Sequence, residues 1–467
     1  MTQLLIALLW TLPFLSAQAP APRQGEAAFR ELYKELIEIN TTLSSGSCTA
    51  ASEAMAARLK AAGLPAGDIR ILVPPDRPKD GNLIATLRGR DSQATPILLL
   101  AHLDVVEAKR EDWVRDPFKL IEEDGWFYAR GASDDKAMAA AFTDSLVRYQ
   151  KEGFKPRRDI KLALTCGEES PDTFNGVEWL IKNHPESLRA AFAINEGAGG
   201  ELDDTGKPIT LQVQAGEKVY QDFTLEATNG GGHSSRPIKD NAIYHLAAGL
   251  SRISAWKFPI GLNPVTRAYF EAQTKLRPSS AADIRAVLKD SPDEAAAERL
   301  WAENPSWNSM LRTTCVATMV NAGHAPNALP QRAQANVNCR ILPGVSLETV
   351  RDTLVKVLAD SAISVTAVGT PSPVSPPPVL TEQIMNPIRS LGDRLWPGAT
   401  IVATMATGAT DGRFLNAHGT PTYGLSGMFH DKEGSRAHGL NERIRVKSLL
   451  DGREFLYEIV KIYANQD

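Results

Sequence analysis

From about residue 26 to 215 the chain alternates between apolar runs and stretches of helical spacing, which is the pattern of an α/β domain. Residues 96–101, Pro-Ile-Leu-Leu-Leu-Ala, are continuously apolar, predicting a central strand covered on both faces. Further strand-like runs fall at 126–129, 160–165 and 190–194, and a helix is expected from Lys136 to near Gly153. Beyond residue 215 the period drops to two. Val219, Phe223, Leu225 and Ala227 alternate with Tyr220, Asp222, Thr224 and Glu226. Ala333, Ala335, Val337, Cys339 and Ile341 alternate with Arg332, Gln334, Asn336, Asn338 and Arg340, so both segments read as half-exposed antiparallel strands. Helical spacing recurs at Ala242, Leu246, Leu250 and Ile253, and again at Leu347, Val350, Leu354 and Val357. With strands expected at 313–320 and 363–368, the order becomes βαββαβ, a ferredoxin-like unit.

That unit carries an Ala-rich helical insertion over 256–312, to which the sequence assigns no role. The proline-rich stretch 371–378 reads as a stiff connector returning to the first domain, which a strand at 421–425 would complete. The expected division is a catalytic domain over 20–215 and 371–467 with a smaller domain, 216–370, inserted into it. A chain of 467 residues exceeds what one hydrophobic core serves, so two domains are natural.

Composition narrows the function. The formal net charge is -4, from 51 Lys plus Arg against 55 Asp plus Glu, with no basic block, so nucleic acid is not an expected partner. Residues 4–15 form an apolar run of signal-peptide length, followed by Ser16-Ala17-Gln18-Ala19. The reading is a signal peptide over 1–19 and a periplasmic or secreted mature protein; the run is too short for a stable membrane span. Cys48, Cys166, Cys315 and Cys339 show no CxxC spacing. Four buried free thiols are expected, with Cys315 and Cys339, on neighbouring strands, the one pair to test.

Five clusters of metal-ligand residue types lie in order along the chain: His102-Leu103-Asp104, Asp134-Asp135-Lys136, Glu168-Glu169, Asn195-Glu196 and His438. The first four each follow a strand-like run, and ligand sites in open α/β sheets collect beyond the carboxyl ends of strands. Together they read as a two-metal hydrolytic site. Asp104, two residues after His102, can reach the ring nitrogen that does not face metal and fix its tautomer. Asp134 sits at the join between the Gly131 turn and a helix, rigid enough to bridge two cations; Asp135 reads equally well as a plain N-cap. Glu168 and Glu169 diverge from one backbone point, so that one can bind metal while the other moves a proton. Asn195 reads as a loop-forming neighbour. Between His438 and His430 spacing does not decide.

These motifs resemble those of the co-catalytic zinc peptidases that include aminoacylase, glutamate carboxypeptidase, carnosine dipeptidase and succinyl-diaminopimelate desuccinylase. The resemblance rests on Ala101-His102-Leu103-Asp104, Gly131-Ala132-Ser133-Asp134-Asp135-Lys136, Gly167-Glu168-Glu169, Asn195-Glu196-Gly197, Gly231-Gly232-His233-Ser234, Asn327-Ala328-Leu329-Pro330, Arg340-Ile341-Leu342-Pro343-Gly344, Gly408-Ala409-Thr410-Asp411 and His438, and it spans nearly the whole mature chain. It implies a mixed sheet flanked by helices, with the ferredoxin-like unit as a lid and dimerisation domain. It implies two Zn2+, with Co2+ or Mn2+ as possible substitutes. Asp134 would bridge them, His102 and Glu196 would complete one site, and Glu169 and His438 the other. Glu168 would be the general base that takes a proton from the attacking water. The Asp134-Asp135 peptide, often cis in such proteins, would be cis here. His233 would reach a neighbouring subunit's site to stabilise the oxyanion, and Asn327, Arg340, Gly408 and Thr410 would meet substrate. Ala137 stands where glycine is commoner in the family and Asn195 where many members carry Asp; neither removes a ligand.

The leading expectation is an exported homodimeric hydrolase of the amide bond next to a free carboxylate in small peptides, a carboxypeptidase or dipeptidase. An N-acyl-amino-acid amidohydrolase is the alternative, because it needs the same metals and the same carboxylate clamp. A catalytically silent binding protein on this fold would have lost Glu168 or a ligand, and none is missing.

Overall fold

The computed structural model describes residues 23–170, 173–369 and 373–466, so the segment read as a signal peptide lies outside the described residues. At its centre is a ten-stranded mixed sheet. Strand Ile97–His102 is wholly buried and runs parallel to both neighbours, Ile160–Thr165 and Phe192–Asn195. Its continuous apolarity has a direct cause. Ile97, Leu99 and Ala101 enter the core shared with helices Glu26–Glu38, Lys136–Lys151 and Val446–Asn465, whereas Leu98 and Leu100 pack with Val177, Leu180, Phe414 and Leu415 on the opposite face. The sheet therefore separates two helical layers, and its carboxyl edge is left to carry the chemistry.

The run before Asp134 belongs elsewhere. Trp126–Tyr128 pairs with Arg443–Arg445 and Ile121–Glu123 in a separate three-stranded sheet. Three ligand clusters thus leave adjacent strands of the main sheet, and the fourth approaches from outside it. Strand Thr400–Ala406, which the sequence reading omitted, pairs in parallel with Pro208–Glu217.

Residues 219–368 build a second, four-stranded antiparallel sheet in the order Thr314–Ala322, Arg332–Ile341, Val219–Thr228, Ile363–Val368. Helices Ala242–Ala255 and Leu347–Leu358 cover the face carrying Phe223, Leu225, Ala335 and Val337. The opposite face carries Tyr220, Asp222, Asn336, Asn338 and Arg340, with Val316 and Met319 of the edge strand beside the two asparagines.

The insertion consists of helices Pro264–Leu276, Ala281–Val287, Glu294–Glu303 and Pro305–Leu311. Although it interrupts the second unit, it packs on the main sheet: Tyr269, Phe270, Leu300 and Trp307 share an apolar cluster with Val402, and Asn263 Nδ2 lies 3.4 Å from Met405 Sδ. Its far end grips Lys218, the residue joining strands Pro208–Glu217 and Val219–Thr228. The buried Lys218 ammonium donates to the Ser309 and Arg312 carbonyls, both at 2.8 Å, and to the Ser309 and Thr314 hydroxyls at 3.2 Å. A buried lysine without acidic partners is tolerated because its donors are satisfied.

The expectation of free thiols is overturned. Cys315 and Cys339 face each other in register and form a disulfide with Cα atoms 4.1 Å apart. Cys48 pairs with Cys166, joining the start of helix Cys48–Ala61 to the residue after strand Ile160–Thr165. The second pair, 118 residues apart in sequence, is brought together only by the fold.

Candidate metal centre

Asp134 lies between two imidazoles. Its Oδ1 is 3.1 Å from His102 Nε2 and its Oδ2 is 3.2 Å from His438 Nε2. Glu196 stands 3.7 Å from His102 Nε2, and Glu169 lies 3.0 Å from His438 Nε2. Ligand atoms of His102, Asp134 and Glu169 fall within 4.8 Å of one another, as do those of His102, Glu168 and Glu196. His438 therefore joins the cluster. His430, half-buried on strand Phe429–His430 beside Gly199, has no hydrogen bond or ion pair to it among the described residues.

The backbone that carries these ligands is held by buried polar groups. Glu442, fully buried, accepts from the Ser133 and Asp134 amides at 2.8 and 3.0 Å through one oxygen, and from the Gly131 amide and Arg130 Nη1, both at 2.9 Å, through the other. Arg130 Nη2 donates onward to the Gly439 carbonyl at 3.1 Å. His438 itself takes a left-handed backbone, φ 62°, that an L-residue adopts only when its surroundings fix it. One Glu-Arg pair thus ties the turn bearing Asp134 to the loop bearing His438. Sequence reasoning missed both residues; the only available signal was an acid four residues after His438.

Asp104 departs from its expected contact. His102 Nδ1 donates to the Asp104 backbone carbonyl at 2.9 Å, while the nearer carboxylate oxygen is 3.7 Å away. That carboxylate instead accepts from the Glu168 and Glu169 amides at 3.3 and 2.9 Å. It shapes the turn that presents the two glutamates, and the tautomer of His102 is fixed by main chain. Asp135 is likewise not the simple cap allowed for it. It precedes helix Lys136–Lys151 without a side-chain cap bond, buried, with one oxygen unpartnered, and the Asp134-Asp135 peptide is cis.

Asp411 is buried beneath the cluster, accepting from Thr165 Oγ1 at 3.0 Å and Asn175 Nδ2 at 2.6 Å. Thr410, expected against substrate, is also buried, its hydroxyl accepting from Asn195 Nδ2 and the Gly412 amide, both at 3.0 Å; Gly408 before it is exposed. Asn195 therefore supports the loop, as expected. His233 and Asn327 lie together on an exposed ribbon made by Gly232–His233 and Ala328–Leu329. His233 Nδ1 accepts from the Ser235 amide and lies 2.8 Å from the Ser235 hydroxyl. Among the described residues neither has a hydrogen bond to the ligand cluster. Arg340, half-buried, is near enough for its charge to feel Glu168.

Six carboxyl groups, Asp134, Asp135, Glu168, Glu169, Glu196 and Asp411, crowd against two imidazoles. Burial and the neighbouring Glu196 carboxylate push the half-buried Glu168 well above the ordinary range, and burial raises Glu196 as well. Although burial opposes it, Asp134 is held low by its two histidines, and its hydrogen bond and that of Glu169 push His438 up to about 10. A partly buried donor set with this excess of carboxylates calls for cations, and mixed imidazole and carboxylate ligands suit Zn2+ or a related divalent ion. Cys48, Cys166 and Asp104 also converge, but the two sulfurs are bonded to each other and offer no thiolate.

A mixed sheet whose carboxyl edge gathers two histidines and a carboxylate set able to hold two cations defines a metal-dependent hydrolase. The chain belongs to the peptidase family M20/M25/M40, whose family model matches residues 98–462. It is 32% identical over 388 residues to the human N-fatty-acyl-amino acid synthase/hydrolase PM20D1, covering 80% of this chain and 76% of that protein. It is 28% identical to the probable carboxypeptidase S-like 2 of Dictyostelium discoideum, covering 81% and 74%. In fold it matches the M20 family metallo-carboxypeptidase Sso-CP2 of Sulfolobus solfataricus with a TM-score of 0.68 at 20% identity, covering 93% of this chain and 99% of that one.

Proposed function

We propose that the protein hydrolyses the amide bond next to a free carboxylate, with N-acyl amino acids ahead of peptides as the substrate class. The observation that carries the reaction type is the pairing of Glu168, a carboxyl already raised in pKa, with a cation-binding cluster and with Arg340, which among the described residues has no ion pair to a carboxylate. Two bound cations, Zn2+ on the chemistry of the donors, would lower the pKa of water and stabilise a developing oxyanion. His102, Asp134, Glu169, Glu196 and His438 would hold them. Glu168 takes the proton of the attacking water and returns it to the leaving amine nitrogen. Asp104 keeps Glu168 in place through the amide of its own turn. Arg340 takes the substrate carboxylate in its fork.

The order of substrates reverses the expectation from sequence alone. It rests on the likeness to PM20D1, which acts on N-fatty-acyl amino acids by its name. The likeness to a carboxypeptidase S-like protein keeps the peptidase reading as the second. A panel of N-acetyl and N-fatty-acyl amino acids beside dipeptides separates them. Cleavage of the acylated compounds at least tenfold faster is expected, and cleavage confined to dipeptides would reverse the order again.

The second unit would serve as lid and dimer contact, bringing His233 and Asn327 to a partner's site. Supporting this, edge strand Thr314–Ala322 exposes Val316, Met319 and Val320 at 60 to 70%, apolar surface left in water at a cost. Export is proposed on the apolar run at 4–15, with the two disulfides in support, since such bonds persist in oxidising compartments. No helix among the described residues is long and apolar enough to cross a membrane.

A further inference from the structure

Arg340 stands directly opposite Tyr220 in the antiparallel pairing of strands Val219–Thr228 and Arg332–Ile341, with both side chains on the face away from the helices. The guanidinium lies over the Tyr220 ring, 4.6 Å from its centroid. The same face presents Asp222, the natural ionic partner for Arg340. Asp222 is already occupied. One oxygen accepts from the Tyr220 hydroxyl at 2.6 Å, and the other from Asn336 Nδ2 at 3.0 Å and Asn338 Nδ2 at 2.9 Å. Among the described residues Arg340 has no ion pair or hydrogen bond to a carboxylate, although burial costs its charge. A partly buried, unpaired guanidinium is unfavourable unless something else supplies the anion.

Tyr220 thus does two things at once. Its ring covers one face of the guanidinium and limits the directions in which the fork can point. Its hydroxyl, with the two asparagine amides, saturates Asp222 and keeps that carboxylate from closing on the fork. We infer that Tyr220, acting through Asp222, is a positioning residue that keeps Arg340 open for the substrate's carboxylate and so sets the preference for free acids over neutral amides at that position. This rests on the reading of Arg340 as the carboxylate clamp, and the test separates the two.

The full chain, loaded with Zn2+, is assayed on an N-acetyl amino acid and on the same compound with its carboxylate converted to a carboxamide. Arg340→Met should abolish the preference for the acid; an unchanged preference would overturn the clamp and the inference with it. With the clamp upheld, Tyr220→Phe keeps the ring but releases Asp222 to pair with Arg340. The KM for the acid should rise about three- to tenfold with kcat within about twofold, and the KM for the carboxamide should not move. Tyr220→Leu, which also removes the stack, should raise the KM for the acid about tenfold or more. Adding Asp222→Asn to Tyr220→Phe removes the competing charge and should bring KM back toward the parent value. A purely structural role predicts instead equal effects on acid and carboxamide, or lowered thermal stability without a change in their ratio, and no rescue by the double variant. Either result overturns the inference; if Tyr220→Leu does not fold, the Phe variant and its rescue decide alone.

Discussion

The carboxyl edge of the main sheet and the exposed ribbon of the second unit both carry residues read as functional, and they are built in opposite ways. At the sheet edge the turns bearing Asp134, His438 and the Glu168-Glu169 pair are held from behind. Glu442 and Arg130 clamp the Asp134 turn and the His438 loop, Asp104 clamps the Glu168-Glu169 turn, and Asp411 is locked to Thr165 and Asn175. On the ribbon, His233 and Asn327 are exposed; His233 is bonded to Ser235, and the Asn327 carbonyl accepts from the Ser234 amide across the ribbon. Groups proposed to hold two cations within one chain are over-determined. Groups proposed to act on a partner's substrate are finished only when the partner arrives.

The largest effect should come from removing the proton-carrying group while leaving its scaffold. Glu168→Gln should lower kcat by about a thousandfold while metal content and melting temperature stay at parent values; retained turnover would move the base elsewhere. Next in size, His233→Ala should cost about a hundredfold in rate without releasing metal. Mixed dimers of that variant with Glu168→Gln should regain part of the activity, whereas no recovery would place His233 outside the partner's site. Third, Glu442→Gln weakens the clamp behind both ligand turns, and metal affinity should fall about ten- to a hundredfold. Unchanged metal binding would show that the ligands hold their places without it.

The smallest effect concerns pH. Burial pushes Glu217, which accepts from the Thr410 amide, up to about 8. A carboxyl whose folded pKa is raised stabilises the fold fully below its unfolded value, about 4.3. That contribution fades as pH rises toward the folded value, since the folded state then holds the extra proton. Glu217→Gln should therefore flatten the pH dependence and raise the melting temperature by a few degrees at pH 8 relative to the parent, with little change at pH 4. An equal shift at both values would contradict the burial argument.

Much of the metal centre was legible in the sequence because its parts are local. An apolar run that stops at a histidine or an acid announces a strand end and a candidate ligand together, and His102 and Glu196 are of that kind; the Glu168-Glu169 pair follows its strand after two intervening residues. Asp134 was found although its strand belongs to another sheet, because the acid pair before a helix is itself a local signal. What stayed hidden depends on contacts between distant segments. Glu442 reaches back 308 residues to the Asp134 amide, and Cys48 meets Cys166 across 118. The insertion sits in the sequence of one unit but packs on the strand of another, which no periodicity encodes. Asp104 shows a finer limit: the spacing placed it beside His102 correctly, but whether main chain or side chain makes the bond depends on a turn that two positions do not specify.

Two cations held by the carboxylates and imidazoles around Asp134 would complete this cluster and make it active. The most direct test is to strip the purified protein with a chelator and titrate Zn2+ back, following bound metal per chain and hydrolysis of an N-acyl amino acid in the same samples. Two equivalents should bind, the stripped protein should be inactive, and activity should return as they bind. Full activity in protein shown to hold no metal would contradict this.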